Sequence, residues 1–449
     1  MKSRFQPSQQ GNFLLPELRS QLDPRQGLYK LAERIDWEVY EEAFGSLYSE
    51  EGRPALPIRR MVGLLLLKYL HNLSDERVVE FWSLSPYGQY FCGEEQMQWG
   101  PPSELTHFRK RIGPGGAEKI FSSSISLHGE KALEKEVVVD TTTQAVTDAE
   151  QRPGKQKNIT FPTDTKLAAK IVKTGVKLAR RNNLALRQSY VRTPYPSCFW
   201  RNGAGVARTG HWAKKATRKL KTIAWRVVRQ LDHSLPPESP DRRWLSIATW
   251  VLSQKRKDSK KIYSLHEPHV YCLSKGKEHK RYEFGAKASV LVGKQGGVIL
   301  GAYSLPENDY DGHSLGEALA QVKRLCGYSP SLAIADRGYR GRTHWGETEL
   351  ITPKAPKKSD SAHQRRKARA RFRRRAAIEP RIGHLKSDFR LGRNFLKGQR
   401  GDSINLLLAA TAANLSLWMR KILSALVQIL SQIPLHNPIT NFPALQRAF

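Results

Sequence analysis

The stretch EKEVVVDTTT at residues 134–143 decides the fold of this chain. Val137, Val138 and Val139 form a β-branched run that stops at Asp140. A short apolar run bounded by polar residues predicts a buried strand. The residues before it have a helical pattern, so the run marks the start of a second structural region.

Strand patterns return at 281–292 and 296–305, and Gly296-Gly297 predicts a hairpin between them. An amphipathic helix over 313–326, a short apolar run ending at Asp336 and a brief strand at 350–352 are predicted next. The order of these elements predicts an α/β fold: a ribonuclease H-like mixed sheet with helices on its faces.

The predicted organisation has three parts. Residues 1–130 form a helical N-terminal DNA-binding domain, and residues 131–400 form the ribonuclease H-like domain with a basic helical insertion at about 164–262. Residues 401–449 form a helical tail. We expect Asp164 to cap the first helix of the insertion and the scattered tryptophans of that region to form a small core.

The N-terminal helices have two interpretations. Pro57 precedes a leucine-rich helix, Ser74 is placed to cap the next one, and a third begins near Pro102 and Ser103. Short helices of which the last is basic suggest a helix-turn-helix-like unit that places Arg109 and Arg111 on its surface for DNA. A plain helical bundle with a solvated basic face fits equally well.

The charge balance predicts a polyanionic partner. The chain has 449 residues, with 75 Lys and Arg against 41 Asp and Glu, a net charge of +34 and a pI near 10.2. This excess is too large for a typical metabolic enzyme. Nucleic acid is the first candidate and an anionic membrane surface the second.

Other features exclude several classes of protein. The four cysteines lie far apart without a CxxC pair, so neither a zinc ribbon nor a disulfide framework is expected. The first residues lack the apolar segment of a secretory signal, and the apolar stretch at 404–433 is too polar for an unbroken membrane span. We therefore expect a soluble, reduced, cytoplasmic protein that does not enter a membrane.

Asp140 and Asp336 are candidate catalytic acids because each one closes a short apolar strand. If the two strands are neighbours, the carboxylates meet at one edge of the sheet. Phosphoryl transfer uses two divalent cations about 3.5–4 Å apart, and Mg²⁺ or Mn²⁺ takes oxygen ligands. The alternative is that each aspartate only caps a turn.

Glu379 is the candidate third acid, since it is the only acid between Asp360 and Asp388. A continuous helix would place it on one face with Arg375 and Lys386, which are then placed to bind phosphates. The alternative is a solvated basic helix with one stray glutamate.

Pro380 argues against a simple helix at this point. Either the helix kinks, or it begins at Pro380 with Glu379 just before its first turn. Asp388 is the fallback acid. The polar turn LPENDYDGH spans residues 305–313. We expect Asp311 or Ser314 to cap the helix that follows it, with a metal role for the turn as the alternative.

Three motifs resemble those of DDE transposases of bacterial insertion sequences, and the insertion-sequence-five group most of all. They are VVVD at 137–140, ADRGY at 335–339 and the spaced set Phe372, Arg375, Glu379 and Lys386. The family has Tyr where Phe372 stands. The resemblance extends to the helical N-terminal region, to PTD at 162–164 and to the tail at 401–415.

The resemblance implies a transposase that cuts the ends of its own insertion sequence and joins them to target DNA. Asp140, Asp336 and Glu379 would hold two Mg²⁺ or Mn²⁺ ions, and Arg375 and Lys386 would hold DNA near the break. The expected partner is double-stranded DNA, as terminal inverted repeats and as target, bound by a homodimer at the nucleoid. Two alternatives are a non-catalytic sequence-specific DNA-binding protein and a related ribonuclease H-like nuclease without strand joining.

Overall fold

The computed structural model describes the chain in several ranges: 17–49, 51, 55–95, 104–145, 162–190, 210–255, 257–274, 282–307, 310–353, 359–392 and 394–432. The chain divides into two compact units. The N-terminal unit takes residues from 1–112, 119–130 and 411–449. The sheet unit takes residues from 113–118 and 131–410.

The N-terminal unit is helical. Its helices are α1 (Leu18–Gln21), α2 (Gly27–Arg34), α3 (Glu38–Gly45), α4 (Ile58–Leu70), α5 (Asp75–Leu84), α6 (Pro86–Phe91) and most of α7 (Glu104–Ser126). The leucine-rich α4 is buried along nearly its whole length, so it forms the centre of this core. Pro57 precedes α4, and the Ser74 side chain accepts a hydrogen bond from the Arg77 N–H (3.1 Å), which confirms both predictions.

The third predicted helix of this region is α7. It begins at Glu104, and the predicted start at Pro102 and Ser103 lies outside the described residues. The helix kinks at Gly113, whose φ of +59° suits a residue without a side chain, and Pro114 follows directly.

The sheet unit has a mixed α/β fold, as predicted. Its strands are β1 (Glu136–Ala145), β2 (Tyr271–Ser274), β3 (Tyr282–Gly293), β4 (Ile299–Ser304), β5 (Leu332–Ile334), β6 (His344–Trp345) and β7 (Thr348–Ile351). They are ordered β2-β3-β1-β5-β7-β6, and β4 also pairs with β3. The valine run at 137–139 lies fully buried in the central strand β1.

Strand direction changes at β1. This strand pairs antiparallel with β3 and parallel with β5, while β5 pairs parallel with β7. The hairpin between β3 and β4 is confirmed, and Gly297 turns there with a φ of +67°. The helix α11 (Asp311–Cys326) packs on β4 and β3, which buries the apolar face of the sheet on that side.

The helical insertion has a core of its own. Its helices are α8 (Asp164–Arg181), α9 (Gly210–Ser234) and α10 (Arg242–Ser253). Two predictions about it are wrong. Apart from Tyr190 the core is aliphatic, with Trp225 and Trp244 only at its margin and Trp250 51% exposed. The α8 cap is Thr163, which accepts from the Lys166 N–H (3.2 Å), since Asp164 instead pairs with Lys221.

Trp200 and the side chain of Trp212 lie outside the described part of the chain.

Three further helices follow the sheet: α12 (Ala362–Arg375), α13 (Ile378–Ser387) and α14 (Gly398–Gln432). The described part of the predicted helical tail is therefore one long helix, which contributes to both units. By length and composition, its residues 398–424 are apolar enough to cross a membrane. Since 61% of the apolar window is buried inside the structure, as in the core helix of a folded protein, this is weak evidence for a span.

Candidate functional site

Asp140 and Asp336 lie at the same level of the sheet, Asp140 within β1 and Asp336 two residues past the end of β5. The prediction that Asp140 closes its strand is wrong, because β1 continues to Ala145. The register of β1 and β5 pairs Val138 with Ile334. Asp140 follows Val138 by two residues, and Asp336 follows Ile334 by two residues. The structure therefore brings the two predicted acids to the same point of the sheet, where β5 ends.

Local hydrogen bonds hold both carboxylates. Asp140 Oδ1 accepts from the Thr141 N–H (2.7 Å), and Asp336 Oδ1 accepts from the Gly338 N–H (2.8 Å). The second bond caps the short 3₁₀ turn Arg337–Tyr339. Both side chains are half-buried, so they are oriented by the fold and still reach solvent.

Asp311 joins this pair. The sequence predicted a metal role for its turn only as the alternative to capping, and it did not place Asp311 with the other two acids. This aspartate is the first residue of α11, and the residue before it, Tyr310, makes no side-chain capping bond, so neither predicted cap fills that position. Asp311 Oδ1 accepts from the Lys287 ammonium (2.5 Å) and from the Thr141 hydroxyl (3.1 Å). Thr141 follows Asp140 directly and so links the two acids.

Gly338 lies between two of the carboxylates. A Cβ atom at this position would lie 2.9 Å from both Asp311 Oδ2 and Asp336 Oδ1, which is closer than real Cβ atoms approach oxygen. The absence of a side chain at Gly338 therefore allows Asp311 and Asp336 to face each other across the turn.

Tyr339 lies close enough to the three acids for their charges to act on it. The side chain is fully buried, and its hydroxyl has no hydrogen-bond partner of good geometry among the described residues. Burial raises the pKa of Tyr339 well above its ordinary value, and the negative charges of Asp311, Asp140 and Asp336 raise it further, while the nearby Ser289 hydroxyl opposes part of this rise. The tyrosine is therefore a neutral hydrogen-bond donor beside the carboxylates.

Glu379 lies on α13, which packs against β1, the strand that carries Asp140. Its side chain is 64% exposed and accepts from the Arg375 guanidinium (3.2 Å). Of the alternatives for this segment, the continuous helix does not form, because a two-residue turn separates α12 from α13. The second helix begins at Ile378, two residues before the predicted start at Pro380. Pro380 then falls in the first turn of α13, where its missing N–H costs little.

The other residues near the third motif have partners of their own. The Lys386 ammonium lies 3.8 Å from the Glu283 carboxylate of β3. Asp388, the fallback acid, accepts from His384 Nδ1 (2.7 Å) at the end of α13.

The carboxylates at this place suit a hard divalent cation by their chemistry, but they are not all gathered around one point. Asp140, Asp311 and Asp336 offer only carboxylate oxygens, which Mg²⁺ and Mn²⁺ prefer. Within the described ranges, however, no group of three or more His, Cys, Asp or Glu residues is assembled closely enough to hold a metal. Asp140 and Asp336 therefore fit a cation by position and chemistry, whereas Glu379 is held in its pair with Arg375.

The basic residues predicted to contact DNA have different surroundings. The predicted surface position of Arg109 is wrong: its side chain is 6% exposed and forms two bonds to Asp75 (2.5 and 2.8 Å), because a buried guanidinium needs a carboxylate partner. Arg111 is exposed and lies over the Tyr48 ring at 4.2 Å. Arg111 is therefore the accessible one of the two.

The helix α12 carries the densest positive charge. Arg and Lys occupy more than half of its positions, and it contains no acid. Nearly all of its described side chains are exposed. A helix with cations on every side suits a phosphate backbone and does not suit a protein core.

Comparison with known proteins gives two family matches. Residues 16–111 match the model of a transposase domain (DUF772), and residues 254–415 match the model of the transposase DDE domain. The second match includes Asp311, Asp336 and Glu379.

The chain is also similar to a bacterial protein over part of its length. The uncharacterized protein ORF8 in the nfe locus of Rhizobium meliloti is 42% identical over 180 residues, which cover 38% of this chain and 81% of that protein. No solved structure matches the chain.

Proposed function

Since this chain belongs to the DDE transposases of insertion sequences, we propose that it cleaves the ends of its own insertion sequence and joins them to target DNA. The family acts on DNA and depends on a divalent metal. The reaction proposed for this chain is phosphoryl transfer at Asp140, Asp336 and Glu379.

The observation that carries the proposal is the register of β1 with β5. Two acids from distant parts of the chain lie side by side at the end of β5, and α13 with Glu379 packs on the first of these strands. A central strand with antiparallel partners on one side and parallel partners on the other supports a ribonuclease H-like fold for this unit. The insertion-sequence-five group remains a prediction from the motifs.

The residues of this chain would act mainly by binding and orienting. Two Mg²⁺ or Mn²⁺ ions, when bound, supply Lewis-acid stabilisation of the oxygens at the reacting phosphorus. Asp140, from within β1, and Asp336, just past the end of β5, would hold them at the sheet, and Glu379 would complete the ligand set. Arg375 and Lys386 would bind phosphate oxygens on either side of the break, where their charges stabilise negative oxygen.

Arg375 has a second role in this proposal. Its guanidinium neutralises Glu379 at 3.2 Å, which limits repulsion among the acids. A phosphate that binds Arg375 competes for the same donors and so releases Glu379. DNA binding and completion of the acid set are then coupled.

The wider surface supports duplex DNA as substrate and target. We infer that the N-terminal helices, with Arg111 exposed on α7, recognise the terminal repeats and that α12 binds backbone phosphates. A homodimer on DNA would handle both ends together. The place of action would be the nucleoid in the cytoplasm.

The test uses the full chain and a plasmid that carries the DNA flanking its gene. We expect Asp140→Asn and Asp336→Asn to abolish strand cleavage in Mg²⁺ and to keep DNA affinity, since each change removes repulsion from phosphate. Asp232→Asn, on a surface ion pair of α9, is the matched control and should cleave normally. Cleavage that survives in Asp140→Asn contradicts the assignment.

Strand joining needs a separate assay with a pre-cleaved, labelled end and a target plasmid. Joined product supports the transposase reaction. Cleavage without joining would favour the related nuclease, and binding without either reaction would favour a DNA-binding protein.

A further inference from the structure

We propose that Asp311 is a further carboxylate ligand of the cation site formed by Asp140 and Asp336, and that Lys287 holds it in place when no metal is bound. The inference rests on the proposed function, because it assigns another residue to the same site. It gives the site an acid that is bonded to two strands of the sheet from the start of α11, whereas Glu379 lies on α13 in an ion pair with Arg375.

The two oxygens of Asp311 face different surroundings. Oδ1 accepts from Lys287 (2.5 Å) and from Thr141 (3.1 Å), so the side chain is anchored to β3 and β1. Oδ2 faces Gly338 and is 2.9 Å from the position of a Cβ there, as is Asp336 Oδ1. One oxygen thus fixes the carboxylate, and the other shares the space over Gly338 with Asp336 Oδ1.

The buried Tyr339 hydroxyl is an independent sign of a ligand at this place. It is fully buried, and neither it nor the neighbouring Ser289 hydroxyl has a hydrogen-bond partner of good geometry within the described part of the chain, although unpaired buried hydroxyls are costly. The negative charges that act on it are those of Asp311, Asp140 and Asp336. A water or ion held by these carboxylates would give the hydroxyl a partner.

Charge also favours a bound cation. Asp140, Asp311 and Asp336 bring three carboxylates together, and the Lys287 ammonium pairs with Asp311. The Lys287 side chain is only 10% exposed and that of Asp311 25% exposed, so water screens charges at this place weakly. A divalent cation would be attracted by the carboxylates and repelled by the positive charge of Lys287.

The experiment is a Mn²⁺ titration of the full chain without DNA, with free Mn²⁺ read by electron paramagnetic resonance. We expect Asp311→Asn to weaken Mn²⁺ binding by roughly tenfold or more, as Asp336→Asn does. Glu317→Gln is the matched control, because it removes one acid from the same helix away from the site and should bind Mn²⁺ as the unmodified protein does.

Lys287→Met gives a second test with the opposite sign. Removal of the ammonium should tighten Mn²⁺ binding several-fold, because a positive charge at Asp311 no longer repels the cation. Circular dichroism checks the fold of each variant. Partial unfolding would weaken binding in both variants, so it cannot produce opposite changes.

The outcomes separate this inference from the proposed function. If Asp336→Asn weakens Mn²⁺ binding but Asp311→Asn does not, the inference is wrong and the proposed function stands. No tightening in a folded Lys287→Met variant also overturns it. If Asp140→Asn and Asp336→Asn leave Mn²⁺ binding unchanged, the cation site itself is wrong and both proposals fail.

Discussion

At the scale of single residues, Asp75 explains why Arg109, a predicted DNA contact, is buried in the N-terminal core instead. Its carboxylate binds Lys68 (2.6 Å) and Arg109 (2.5 Å), whose side chains are each 6% exposed. Burial alone would raise the pKa of Asp75, but the hydrogen bonds and charges of Arg109 and Lys68 outweigh it and lower the pKa to about 2. The carboxylate is thus more stable ionised in the folded chain than in the unfolded one.

We expect Asp75→Asn to lower the free energy of unfolding of the N-terminal unit by about 2 kcal/mol at pH 6. A depressed pKa means that the contribution is complete above the unfolded pKa near 3.8 and is lost as pH falls towards about 2. Hydrogen exchange of α4 and α5 against pH measures it. Glu76→Gln, the exposed neighbour, should change little, and an equal loss of protection at pH 2 and pH 6 would contradict the explanation.

At the scale of elements, α12 is a helix that needs a partner. Arg365, Arg369 and Arg373 follow one another at intervals of four, and like charges at this spacing destabilise an isolated helix. The described side chains bury almost no apolar surface that would compensate. DNA phosphates remove the repulsion, so we expect binding to stabilise α12.

The triple change Arg366→Gln, Arg369→Gln and Arg373→Gln should weaken duplex binding and flatten its salt dependence. The log–log slope should fall by about 0.9 for each phosphate that the variant no longer neutralises. Glutamine keeps helix propensity near that of arginine. Fluorescence anisotropy over a salt series measures both the affinity and the slope.

The control for this prediction removes three cations that already have carboxylate partners: Arg19, Arg25 and Arg77. Changing them to Gln removes the same charge with a smaller effect on binding. Equal effects of the two triple changes would assign the affinity to net charge and not to α12.

At the scale of the whole molecule, the net charge of +34 predicts that affinity for DNA without terminal repeats is dominated by counterion release. If the chain contacts 6–10 phosphates, affinity should fall by about 10³–10⁵ between 50 and 200 mM salt. Anisotropy with a random-sequence duplex measures this. A flat response over that range would mean that the basic surfaces do not meet the phosphate backbone.

The local sequence determined the features that a few neighbouring residues specify, namely individual strands, a turn and a helix cap. The valine run, the glycine hairpin and the Ser74 cap are each specified within a few positions, so strands, turn and cap were predicted from alternation, turn chemistry and capping rules. The acids at 140 and 336 were recognised for the same reason, since each follows a short apolar run.

Only the tertiary structure decided which distant residues meet. Pairing of β1 with β5 placed Asp140 beside Asp336, and packing of α11 brought Asp311 to Lys287. Burial turned Arg109 towards Asp75, which no local pattern indicated. These outcomes depend on burial and charge compensation between segments far apart in the chain. Patterns among neighbouring residues do not show which of those segments lie close together in space.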